Sequence, residues 1–239
     1  MSEVWNPATP SQLVYPCLEA MNDACWLFAV LKLTDTVDTN WSSFFQFDVD
    51  ATAGAATRLA FGRRSTGLLY YANSVALGDG TGFTDADGWS RVWFARSAAA
   101  ATVLAKCPMG GSLTSGPGEA VADGLSNAGN VVKVGGDDDP FDGKMAAFGW
   151  GNATPPSDAT LAALTSTAGL VALATHAYDA ANRFQTDLVG TNHLTSGLSS
   201  ITADGADNPS GWTYSGGAAA AGPPQFASKH RSMRALTRR

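Results

Sequence analysis

Glutamate is nearly missing from this chain: Glu3, Glu19 and Glu119 are the only three in 239 residues. The remaining acid is aspartate, which favours turns and loops where glutamate favours helices. Histidine is as scarce, with His176, His193 and His230. No G-x-S-x-G elbow, H-E-x-x-H helix, P-loop or dinucleotide fingerprint surrounds them. Cysteine stops at Cys17, Cys25 and Cys107. That odd, widely spaced set gives neither a disulfide framework nor a zinc pattern, so buried free thiols are the default and a Cys17–Cys25 bridge the alternative. No apolar run approaches the roughly 18 to 20 residues that cross a bilayer. The opening residues also lack the basic and apolar regions of a signal peptide, so synthesis and folding in a cytoplasm are expected. Charged residues make up 15% of the chain, with net charge −6. An acidic balance argues against wholesale binding of nucleic acid phosphates.

Turn formers and apolar residues are plentiful. There are 26 glycines and 11 prolines, and 45% of residues are hydrophobic. Short apolar runs separated by Gly, Ser, Asn and Asp clusters predict an all-β protein with a buried core. Strands are expected at 25–33 (CWLFAVLKL), at 44–49, and at 58–61 and 68–71, the last two joined by a six-residue loop. Further strands are expected at 89–95, at 98–104 running on to Cys107, and at 170–178. Residues 111–130 read as a loop. Residues 1–20 read as an irregular arm kept extended by Pro7, Pro10 and Pro16.

The stretch 131–164, VVKVGGDDDPFDGKMAAFGWGNATPPSDATLAAL, carries the most information. A β-branched run, Val131, Val132 and Val134, closes on Gly135-Gly136, a turn that needs positive φ. A polar loop with one apolar plug, Phe141, leads to a second strand at 144–149. Ser157 or Asp158 then caps a short helix at 159–164.

This order resembles the closing segment of laminin G-like, concanavalin A-type jelly rolls, with Phe141-Asp142-Gly143 as the "F-x-G" turn. Gly88-Trp89-Ser90-Arg91-Val92 matches their "G-W-x-x-V" strand. The run Asp187 to Thr195 resembles a "D-x-x-G-x-N-H-L-T" phrase found beside such modules in bacteriophage virion proteins. It stands after the helix, where the family has it near a module's start. The resemblance covers residues 25–200. It implies an antiparallel β-sandwich, a concanavalin A-like jelly roll with one short α-helix, serving as a minor tail or capsid decoration protein.

Catalysis finds little support. Glycosidases need two carboxylates, about 5 to 5.5 Å apart in retaining enzymes. The "E-x-D-x-x-E" strand of laminarinase-like jelly rolls is missing, so the chain is read as no enzyme, with a glycoside hydrolase as the remote alternative. Asp137, Asp138, Asp139 and Asp142 are the candidate ligands for calcium, which takes six to eight oxygens; a solvated turn is the competing reading. Tyr70, Tyr71, Trp150, Trp212 and Tyr214 fall near strand ends and loops, where an aromatic face can stack on a sugar ring. Trp26, Trp41, Trp89 and Trp93 read as core, and His193 as a residue hydrogen-bonded within its own turn.

Three segments are expected: an N-terminal docking arm at 1–20, the sandwich at 21–215, and a linker with a basic tail at 216–239. The tail holds Lys229, Arg231, Arg234, Arg238 and Arg239 and no acid. Expected partners are other virion proteins reached through both ends, a second copy of the chain, and a host-surface glycan. A carbohydrate-binding lectin module is the alternative, and the expected location is the virion surface.

Overall fold

A computed structural model describes residues 2–5, 12–16, 24–34, 41–48, 57–64, 67–72, 75–77, 81–97, 102–118, 131–135, 141–197 and 201–215. Two antiparallel sheets dominate them. The larger contains β1 (Ser2–Trp5), β3 (Ala24–Leu33), β8 (Ser90–Ser97), β9 (Thr102–Pro108), β10 (Thr114–Gly118), β12 (Gly143–Gly151), β13 (His176–Asp179) and β14 (Ile201–Asp204). Its order is β10-β9-β8-β3-β12-β1-β14, with β13 also paired to β12. The smaller contains β2 (Leu13–Pro16), β4 (Trp41–Asp48), β5 (Thr57–Arg64), β6 (Gly67–Ala72), β7 (Val75–Leu77) and β11 (Val131–Val134). Its order is β2-β11-β4-β5-β6-β7.

The winding follows from four pairings. The chain crosses from the larger sheet to the smaller between β1 and β2 and again between β3 and β4, and returns between β11 and β12. β11 pairs with both β2 and β4, and β12 with both β1 and β3. One returning ribbon therefore lies between two outgoing ones across both sheets. That is jelly-roll winding, and the protein is an all-β antiparallel sandwich of this kind.

Aromatic rings fill the space between the sheets. Phe45 meets Phe148 at 5.7 Å, Phe47 meets Trp150 at 6.0 Å and Phe61 meets Phe94 at 6.3 Å, each pair joining the two sheets. β3 is apolar on both faces. Leu27, Ala29, Leu31 and Leu33 join this core, while Trp26, Phe28 and Val30 belong to a second cluster with Leu161, Leu164, Leu170 and Trp212. The unbroken apolar run 25–31 thus marks a strand covered on both sides. Its outer cover is helix α1 (Asp158–Ala162), helix α2 (Thr167–Val171) and the segment around Trp212.

Several expectations need correction. The N-terminal stretch, read as an irregular docking arm, forms regular strands where it is described: β1 and β2 each lie in a sheet, so residues 2–5 and 13–16 are engaged within the chain. Two short α-helices form where one was expected. Residues 167–171 are α2, whose start is capped by the Ser166 side chain accepting from Gly169 N–H, and the strand read at 170–178 begins only at His176. β10 forms within the stretch read as loop. The β5–β6 pairing continues to Arg64 and Gly67, so the loop between them is far shorter than six residues. Other expectations hold: Ser157 caps α1 by accepting from Thr160 N–H at 3.2 Å, and Gly135 has φ +98°. Cys25 and Cys107 are buried, and Cys107 is a free thiol. The linker and basic tail, and Cys17, lie outside the described residues.

Candidate functional site

Of the predicted sugar-stacking residues, the two tryptophans are buried. Trp150 is 1% exposed and packs in the core against Phe47, Tyr15, Tyr178 and His176, because its place on β12 points it between the sheets. Trp212 is 6% exposed and stacks on Phe28 at 6.4 Å, closing the outer cluster. Neither offers a face to a ligand. Tyr214 is half-buried against both clusters, and burial, with Asp179 nearby, pushes its hydroxyl up. Tyr70 and Tyr71 lie on β6, and their side chains are outside the described residues. Of the acidic loop, Asp137, Asp138 and Asp139 are outside the description too. Asp142 accepts from the Thr34 hydroxyl at 2.6 Å. Among the described residues no three metal-binding side chains come together.

A different surface brings aromatic and charged groups together. Lys32 on β3 and Lys144 on β12 are direct cross-strand partners, an arrangement that repels unless an anion intervenes. Asp207 is that anion: its Oδ2 accepts from Lys32 Nζ at 3.0 Å and from Lys144 Nζ at 2.8 Å. Its Oδ1 accepts from Trp89 Nε1 at 2.9 Å. Asp204 adds a second contact to Lys144 at 2.6 Å. Ser2 ties the segment down by donating its hydroxyl to the carbonyls of Asp204 and Asp207. The Lys144 contact, then the Trp89 N–H, hold the Asp207 carboxyl far below its usual range, and Lys144 lowers Asp204 likewise. Hydrogen bonds to Asp204 and Asp207 raise Lys144 in return. Trp89 is only partly buried, and the Lys32 and Asp207 side chains remain 32% and 30% exposed. An oriented indole beside a fixed ammonium and a fixed carboxylate is a surface suited to a polyhydroxylated ring.

Sequence reasoning missed this group: it read Trp89 simply as core, and the indole does pack against the outer cluster, but its N–H goes to Asp207. The available signal was Lys32 and Lys144 inside otherwise apolar strands, since a charge there demands a counter-ion.

The Asp187 phrase has a structural use. Asp187 Oδ2 accepts from His176 Nδ1 at 2.7 Å and from Asn192 N–H at 3.2 Å. Oδ1 accepts from Ala177 N–H at 3.3 Å and Val189 N–H at 3.1 Å. Burial pushes the carboxyl up, but the His176 contact and the Val189 and Gly190 amides outweigh it, and the net shift is down. A Cβ at Gly190 would stand 3.0 Å from Asp187 Oδ2, which accounts for the glycine in the phrase. His193 Nδ1 accepts from Asp187 N–H at 3.1 Å, as expected of a histidine bonded within its turn. Farther along, Thr195 N–H donates to Val14 O at 2.9 Å, and Val14 N–H donates to Ser196 O at 3.0 Å. The loop thus fastens β13 of one sheet to β2 of the other.

No family model matches the chain, and no curated protein matches it. Among solved structures it is similar to a native heptameric SAP-like pentraxin from Limulus polyphemus. Identity is 12% and the TM-score 0.43, over 67% of this chain and 79% of that one. Likeness at this level says nothing of ligand or assembly.

Proposed function

We propose that this chain is a non-catalytic structural protein of a bacteriophage virion, a minor tail or capsid decoration protein, whose jelly roll presents a glycan-binding surface at Trp89. The Trp89–Asp207–Lys32 group carries the binding half of this reading, since it combines a partly exposed indole with fixed donor and acceptor groups. The laminin G-like resemblance of residues 25–200 and the phage-associated phrase at 187–195 support the virion half.

Two observations favour binding over turnover. Both aspartates near Trp89 share one lysine and are held ionised, which suits neither to act as a general acid. The His176–Asp187 pair is buried, and the carboxylate is filled by backbone donors that hold a loop. The test is gold-labelled antibody on particles purified from the producing culture. Regular labelling of heads or tails is expected; unlabelled particles beside abundant soluble protein would overturn the virion assignment. A free lectin module is the second reading, favoured by the same Trp89 surface, and calcium at the acidic loop would belong to either.

A further inference from the structure

Buried cations in a sandwich need partners, because moving a charge from water costs several kcal/mol unless an opposite charge or hydrogen bonds replace the solvent. Lys133 is fully buried and has Asp48 at 2.9 Å. The guanidinium of Arg91 donates from Nε to the Leu164 carbonyl and meets Cys107 Sγ at 3.6 Å. Arg63 differs. It is 2% exposed, its Nε is sealed from solvent with no acceptor, and among the described residues no hydrogen bond or ion pair reaches its side chain.

Its place in the fold explains the burial. Leu59, Phe61 and Arg63 alternate along β5, and the first two face the core, so Arg63 enters the sandwich from the same side. Its cross-strand neighbours, Ser42 and Leu68, are buried as well. Arg63 nevertheless sits one residue from the end of β5, at the rim of the sandwich. There Arg64 and Gly82 are exposed, Gly67 and Gly82 form an isolated bridge, and Leu68 N–H donates to Thr81 O at 2.8 Å.

A lysine in this position could shed its proton; a guanidinium stays charged at any pH a protein survives. The missing partner is therefore an anion, and the planar fork of arginine fits the two oxygens of a carboxylate or phosphate. We propose that Arg63 is the binding group of an anion site at the rim of the smaller sheet, taking the carboxylate or phosphate of a small ligand between the strand end and the Gly67–Gly82 bridge. The site is separate from the Trp89 surface.

The test is thermal unfolding of the full chain, as wild type and as Arg63→Met, with inorganic phosphate, glucuronate or glucose. At about ten times its dissociation constant a bound anion multiplies the folded-to-unfolded ratio about tenfold. That gain is expected with phosphate, glucuronate or both, which tells the two oxyanion classes apart, and is not expected with glucose. Arg63→Met should abolish the gain and, without anion, should melt no lower than wild type, because it removes an uncompensated buried charge. Trp89→Ala should leave the anion response intact. Wild type unmoved by both anions, a response that survives in Arg63→Met, or a variant melting well below wild type would each overturn the proposal.

Discussion

At the residue scale, the informative groups are those whose every lone pair has a use. Asp187 takes four donors, one of them the His176 ring and three of them amides. Asp187→Asn keeps the shape but turns one acceptor into a donor facing donors. It should cost about 2 to 4 kcal/mol in urea denaturation, by the usual penalty for breaking a buried charged hydrogen-bond network. A loss within a few tenths would mean that the loop is held by other contacts. Trp89 and Trp150 make the converse point. Both are tryptophans at or beside a strand; local sequence placed Trp150 at a ligand surface although it is buried, and read Trp89 as core although it only packs against the outer cluster, partly buried. Trp150 reads as a strand-end residue until β13 is known to pair with its strand and cover it. Trp89 reads as wholly core until Asp207, 118 residues away, is seen to accept from its N–H in a partly buried contact. Neither partner is visible in a local window.

At the scale of elements, strands with strong periodicity or unbroken apolar character were legible: β3, β4, β8, β11 and β12 lie close to where the residues place them. β1 and β2 were not, since four-residue strands among prolines acquire their identity only from β12, β14 and β11. α2 was hidden because residues 167–171 are too few to display a helical period, although Ser166 stood ready as its cap. The outer face of the smaller sheet held a different surprise, the fully buried Lys133–Asp48 pair bridging β11 and β4. Breaking such a pair strands a charge, while replacing both partners need not. Lys133→Met is therefore expected to lose about 3 to 5 kcal/mol, and Lys133→Met with Asp48→Leu to recover most of it. Equal losses in the single and double variants, measured by chemical denaturation, would show that the pair contributes net stability of its own.

For the whole molecule, the titrating groups define a window of stability. Asp187, Asp204 and Asp207 are all depressed below the ordinary 3.8 in the folded state. Groups of this kind stabilise above their unfolded value, and the contribution is lost as pH falls through the folded one. Lys144 is raised above 10.5, so its contribution is present below that value and disappears as pH rises through the folded one. Melting temperature should thus be flat between about pH 5 and pH 9, fall on the acid side below about pH 4, and fall again only above about pH 10.5. The acid limb should shrink in Asp207→Asn. A melting temperature that already declines from pH 8 to pH 6 would point to histidine rather than these aspartates.

The two halves of the molecule's proposed role meet in the Trp89 surface, where the larger sheet faces outward between β3 and β12. A glycan array probed with wild type and Trp89→Ala, with calcium and with chelator, tests it most directly. The account predicts binding to a restricted set of glycans by wild type, no cleavage of them, and a loss of at least tenfold in Trp89→Ala while the melting temperature changes little. Wild-type binding that Trp89→Ala retains in full, or no binding to any glycan under either condition, would contradict it.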